Sequence, residues 1–155
     1  MFVPRSPLAR PEVEPLVWSV AEWNAPQYYV PRDCPRMVFW AGPETSASDC
    51  IEFLGSARRV MAVEPGWLQK IHSATIVRYE FEPGSFACID EVAGTWVSRE
   101  TLAPTAEEVL MHLPDRIAAE GIELRAVENL FGLSQRIAGT TLRFSGNRLR
   151  NCLGA

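Results

Sequence analysis

The stretch Tyr28-Tyr29-Val30-Pro31-Arg32-Asp33-Cys34-Pro35-Arg36 runs directly into Met37-Val38-Phe39-Trp40-Ala41. Its second half is a nearly unbroken apolar run, the pattern of a strand covered on both faces rather than one with alternating wet and dry sides. Its first half cannot be regular. Pro31 and Pro35 each remove an amide donor and hold the preceding residue in extended geometry, so an irregular loop must feed the strand. The same apolar density recurs at Leu16-Val17-Trp18-Ser19-Val20, and both runs are expected near the centre of a sheet.

Working outward, Ala21 to Tyr29 reads as a short helical excursion interrupted by Pro26. Ser46 and Ser48 offer caps, Asp49 suits a helix's positive first turn and Gly55 can end it, which predicts a helix over Ser48 to Leu54. Arg59 to Glu64 follows as a strand, and Pro65 opens a helix that places Trp67, Leu68 and Ile71 on one stripe before Ser73. Thr75, Val77, Tyr79 and Phe81 alternate with Arg78, Glu80 and Glu82, predicting a strand with one wet face. Phe86 to Ile89 and Thr95 to Ser98 read as short strands. Thr105 with Glu108 makes a capping box, and Val109, Leu113 and Ile117 recur at helical spacing, so a helix reaching Gly121 and kinked at Pro114 is expected. Ile122 to Ala126 alternates as a strand, Asn129 and Gly139 bracket a helix, and Thr141 to Leu149 closes as an extended segment.

Connections this short cannot all be parallel crossovers. The expected fold is therefore α+β, a single mixed, mainly antiparallel sheet of about six strands with three to four short helices. Residues 1–155 are expected to form one domain, with 1–15 as a proline-rich surface strap bearing Pro4, Pro7, Pro11 and Pro15.

Composition narrows the function classes. The 155 residues are 47 % hydrophobic and 22 % charged, which excludes disordered and fibrous classes. A chain of this length removes roughly 70 % of its unfolded surface from water without metal or disulfide staples. Fifteen basic against nineteen acidic residues leave a net charge of -4, opposite in sign to a nucleic-acid footprint, so no nucleic-acid partner is expected. No run nears the roughly 20 apolar residues that span a bilayer, and Met1-Phe2-Val3-Pro4-Arg5 does not start like a secretory signal, so no membrane partner and a cytoplasmic location are expected.

Cys34, Cys50, Cys88 and Cys152 form no Cys-x-x-Cys and read as reduced, mainly buried thiols. His72 and His112 have no metal-ligand spacing and are expected in half-buried packing positions on separate helices, so no metal site is expected. No Gly-x-Ser-x-Gly elbow or Gly-x-Gly-x-x-Gly loop occurs, and no cofactor is evident.

The densest chemistry is the opening stretch itself. Tyr28, Tyr29, Arg32, Asp33 and Arg36 share a proline-stiffened loop, which loses little entropy on ordering, and guanidinium forks suit phosphate or carboxylate. Near the other terminus Arg148 and Arg150 stand two apart, so in extended chain they project on one face. If strand and loop adjoin, four guanidinium groups share a pocket for a phosphate-bearing small molecule. The alternative is structural: Asp33 caps a turn, each arginine pairs with a nearby acid, and Cys34 is packed away. Most tryptophans are expected in the core, with Trp23 the one placed for exposure.

Pro31-Arg32-Asp33-Cys34-Pro35-Arg36 before Phe39-Trp40 resembles a motif of a small bacterial family of unknown function. Trp96-Val97-Ser98, Gly121-Ile122-Glu123-Leu124-Arg125 and Phe144-Ser145 before Arg148-Leu149-Arg150-Asn151 are similar to the same family's later segments. That family's outline in turn resembles ADP-ribosyltransferase-like and RNA phosphotransferase-like domains, with Trp18 to Tyr29 as the unit that carries aromatics. The resemblance implies a histidine-bearing strand ahead of the region of Pro4-Arg5, a point this chain starts after, so either translation begins upstream or that group is lacking. The leading expectation is a phosphate-bearing small molecule or nucleotide bound beside the Tyr28 to Arg36 loop, with catalysis left open. The other is a non-catalytic interaction module whose proline-rich strap and exposed aromatics recognise a protein partner or, as a homodimer, a second copy of the chain.

Overall fold

The computed structural model describes residues 1–8 and 11–155, so residues 9 and 10 of the expected strap lie outside the described residues. In chain order, β1 (Val17–Val20) leads through a 3-10 helix (Glu22–Tyr28) to β2 (Arg36–Trp40). Then come α1 (Ala47–Asp49), which continues as a wider π turn over Cys50–Leu54, β3 (Arg59–Val63), α2 (Leu68–Ser73) and β4 (Ile76–Glu80). The remainder runs β5 (Ala87–Asp90), β6 (Thr95–Ser98), β7 (Ala106–Leu110), α3 (Leu113–Ala119), β8 (Ile122–Ala126), α4 (Leu130–Ala138) and β9 (Arg143–Asn147). The fold is α+β. Its strands form three sheets, of orders β1-β6-β5, β8-β3-β2-β9 and β4-β7, rather than the single sheet of about six strands that the pattern predicts. No helix among the described residues is long and apolar enough to cross a membrane.

The chain divides into two compact units. The larger comprises Pro26–Ile76 and Leu110–Ala155 and contains the four-stranded sheet. Every residue of β2 and β3 is buried, as the apolar runs require. β2 pairs antiparallel with β3 and β9, setting Arg36 opposite both Val63 and Asn147, and β8 adds to β3 in parallel. Side chains alternate across β2. Met37 and Phe39 join Phe53, Leu54, Val60, Ala62, Leu130 and Ile137 in the core on one face, each such burial contributing about 1.5–3 kcal/mol. α4 packs on β2 and β9, and α3 packs on β8. Ser46 caps α1 by accepting the Asp49 amide at 3.2 Å, and Asn129 caps α4 by accepting the Gly132 amide at 2.7 Å.

The smaller unit comprises Met1–Ala25 and Val77–Val109. Its three-stranded sheet puts β1 at an edge, not at a centre, and Trp18 there is 45 % exposed. The strap does meet this unit: Arg5 and Leu16 exchange backbone hydrogen bonds, as do Phe2 and Leu102. The Phe2 ring meets the edges of Tyr79 and Phe81 at 5.0 Å each. Trp23 is exposed, as its place on the irregular helix suggests.

Three further expectations are corrected. Residues 105–110 do not start a helix, because the Thr105 amide and hydroxyl both donate to the Glu80 carbonyl and β7 pairs with β4. His112 then takes a left-handed conformation (φ 54°) that ends the strand, and Pro114 falls in the first turn of α3, where its missing N–H costs nothing. β4 is a strand, but Val77 and Tyr79 face solvent while Arg78 is half-buried between Glu80 at 2.6 Å and Glu108 at 3.0 Å. The half-buried position in the middle of β4 is thus a paired charge, where alternation alone predicts a wet face. Pro26 lies inside the 3-10 helix without interrupting it.

Candidate functional site

The end of the larger unit's sheet where β2 begins is also where β3, β8 and β9 finish, so four chain segments release side chains together. Pro31 to Cys34 forms a tight turn closed by the Cys34 amide on the Pro31 carbonyl at 2.9 Å. Pro35 then delivers Arg36 into the sheet, where it is only 3 % exposed. Its guanidinium is satisfied locally: Nε donates to the Gln27 carbonyl at 2.9 Å and Nη1 to the Cys34 carbonyl at 3.1 Å. The Tyr28 ring lies 4.9 Å from the guanidinium carbon, a cation–π contact. Burial pushes the Arg36 pKa down, Tyr28 and Cys34 push it back up, and the nearby Arg148 charge lowers it again.

β9 ends opposite Arg36. Arg148 adopts a left-handed conformation (φ 56°) and Leu149–Asn151 turns as a 3-10 helix, so Arg148 and Arg150 do not lie on the extended strand expected of them. A left-handed residue cannot continue a pleat, which is why the two-residue alternation fails here. The turn carries the chain back over the loop. Asn151 Nδ2 donates to the Asp33 carbonyl at 2.8 Å, and the Leu153 amide donates to Glu64 Oε1 at 2.6 Å. Loop and chain end are therefore in contact.

An open depression of about 360 Å³ is lined by Gly146, Asn147, Arg148, Leu149 and Arg150. Some other arginines pair with carboxylates, Arg99 with Glu14, Arg125 with Glu123, Arg136 with Glu52 and Arg78 with Glu80, while Arg59 donates to the Glu120 carbonyl. Among the described residues, Arg32, Arg148 and Arg150 have no carboxylate within ion-pair distance. Arg32 and the Asp33 side chain are exposed on the turn, Tyr28 is 40 % exposed, and Tyr29 is buried. The smaller unit has its own cleft of about 300 Å³ beside Glu22, Arg78, Tyr79 and Glu80, but the Arg78 charge there is neutralised by its two acids.

Cys34 is buried, and desolvation pushes its thiol up to about 12 against the opposing pull of Arg36, with Glu64 adding to the rise. A thiol held neutral in this way does not serve as a nucleophile near neutral pH. Of the four thiols only Cys34 and Cys152 are buried; Cys50 is half-buried and Cys88 is exposed, which corrects the expectation of mainly buried cysteines. His72 and His112 are both exposed rather than half-buried. Among the described residues no group of three or more His, Cys, Asp or Glu side chains is arranged to hold a metal ion.

Sequence reasoning overlooked Gln27, Glu64 and Asn151. Glu64 is 2 % exposed, and a carboxylate closing the apolar run Val60-Met61-Ala62-Val63 was its one sequence signal. Gln27 and Asn151 act through a backbone carbonyl and a side-chain amide that pattern does not announce.

Taken together, the fold and this sheet end define an α+β protein of two compact units, the larger of which carries an open depression lined by Arg148 and Arg150. The chain belongs to the family of unknown function DUF6886, whose model matches residues 1–152. No curated protein and no solved structure matches it at a significant level.

Proposed function

We propose that the protein binds a phosphate-bearing small molecule in the depression at the end of β9. The observation that carries this reading is that Arg148 and Arg150 line about 360 Å³ of open space with no carboxylate partner among the described residues, close to the buried charge of Arg36. Like charges held together repel, and an anion with several oxygens relieves that repulsion through bidentate hydrogen bonds. Arg32 and Asp33 sit on the turn whose Asp33 carbonyl accepts from Asn151, and on this reading they belong to the same site. On this reading Tyr28, whose ring lies against the Arg36 guanidinium, and the buried Tyr29 belong to the same site. The net charge of -4 disfavours extended polyanions, so neither nucleic acid nor an anionic membrane is proposed as a partner.

The PRDCPR loop of residues 31–36 is on this reading the recognition motif of a bacterial, cytoplasmic protein acting as one domain. The likeness to ADP-ribosyltransferase-like domains belongs to the same proposal and favours a nucleotide among phosphate ligands. No residue is assigned a catalytic role. Pyrophosphate at a hundredfold excess over its Kd should raise the melting temperature by roughly 5–10 °C. The double variant Arg32→Ala/Arg148→Ala should lose that protection; full protection in the variant rejects the shared pocket.

A second reading, self-association, is favoured by one observation: β5 is an edge strand and all four of its residues are exposed. Unguarded edges pair with other strands. Light scattering should then give a homodimer mass at micromolar concentration, and a monomer throughout the range rejects this reading.

A further inference from the structure

The cleft of the smaller unit is bordered by two strand edges. Ser19 and Val20 of β1 line it together with Arg78, Tyr79 and Glu80 of β4 and the Phe81 that follows. β1 is the outer strand of the order β1-β6-β5, and β4 pairs with β7 alone. Successive residues of a paired strand turn their N–H and C=O groups to opposite edges. Just past β1 the Ala21 amide donates to Gly94 on the β6 side, whereas Leu16 exchanges both its bonds with Arg5 on the outer side, so Val20 also turns outward. In β4 the Glu80 carbonyl accepts from Thr105 beside β7, so Tyr79 turns away from β7. Among the described residues nothing bonds the outward N–H and C=O of Val20 or Tyr79.

Two such edges beside one cleft are a template for an extended chain, which presents donors and acceptors at the spacing of a strand. The molecule already uses this mode at one point, where Arg5 of the strap adds to the same edge at Leu16 through bonds of 3.2 and 3.3 Å. Charge selects the occupant. Glu22 is exposed in the lining and has no cationic partner among the described residues, and Glu80 shares Arg78 with Glu108. The cleft is therefore left with negative charge in excess, which a basic side chain complements.

We infer that this cleft takes an extended, lysine- or arginine-bearing peptide segment of a partner protein as an added strand, with its backbone on Val20 and Tyr79 and a basic side chain toward Glu22. Amide hydrogen exchange of the full chain, followed by NMR, tests this with a capped pentapeptide that alternates valine and lysine. At saturation the probe should slow the Val20 and Tyr79 amides at least about tenfold. The Ala21 amide, already bonded to Gly94, should not change. The same pentapeptide with glutamate in place of lysine should bind about fivefold more weakly, the scale of exposed ion pairs. Glu22→Gln should narrow that difference. A lysine probe N-methylated at alternate residues, which lacks the strand's donors, should slow neither amide. No slowing with the lysine probe overturns the inference, as does equal slowing by its N-methylated form. Equal affinity for the lysine and glutamate probes overturns the basic occupant. Slowing of both amides by raised protein concentration alone assigns the cleft to a second copy of the chain and overturns the inference too. If Glu22→Gln does not fold, the three peptides on the native chain decide.

Discussion

Arg36 shows how a single residue changes role with its surroundings. In the chain it is one of two arginines flanking an acid and a thiol; in the fold it is buried and bonded to two carbonyls, so it positions Tyr28 and lends charge rather than reaching outward. Cys34 beside it is the clearest test of that interior. Below pH 9 its thiol is protonated in both folded and unfolded chains. Between 9 and about 12 the unfolded chain releases the proton while the folded chain keeps it. Stability should therefore fall as pH rises through that window, by at most about 1.4 kcal/mol per pH unit from this group. Urea midpoints of the native chain and of Cys34→Ala, measured at pH 8 and pH 10.5, should diverge in their pH slopes; parallel slopes would disprove the buried thiol's part. A thiol reagent at pH 8 should modify Cys88 readily and leave Cys34 and Cys152 untouched until the chain unfolds.

Elements here are set by their ends. Asn129 holds the first turn of α4 through the Gly132 amide, and Asn129→Ala should cost about 1 kcal/mol. Gly121 turns the chain from α3 into β8 at φ 71°, with nothing within 4 Å of an added Cβ, so Gly121→Ala should cost about 1 kcal/mol from backbone conformation alone. Urea denaturation reads both, and Gly121→Asn should recover part of the second loss. Where an end was written in side-chain chemistry, as at Ser46, Asn129 and Gly55, the sequence predicted the element. Leu113–Ala119 form the helix that the spacing predicts, whereas residues 105–112 went the other way. Their helical spacing is real, but the partner that makes 106–110 a strand is β4, some thirty residues earlier, and no local signal announces it. Arg148 fails for the matching reason, since the left-handed turn there is made by a non-glycine residue.

At the scale of the molecule, the smaller unit is assembled from two separated segments, so the chain passes from one unit to the other three times. Neither unit can be completed from one contiguous stretch until distant partners arrive, as β1 and β6 illustrate. Urea unfolding followed by far-UV circular dichroism and by Cys34 reactivity should share one midpoint. Two resolved midpoints would divide residues 1–155 into independently folding domains. The apolar runs at β2 and β3, the caps of α1 and α4 and the α+β class are properties of nearby residues, and local hydrophobic spacing and backbone preference suffice to specify them. The division into three sheets, the edge position of β1 and the meeting of the Pro31 to Cys34 turn with Arg148 to Leu153 required the folded chain. Those features depend on which segments pair across large separations, and pairing energy is shared between residues that carry no mark of each other in the linear order.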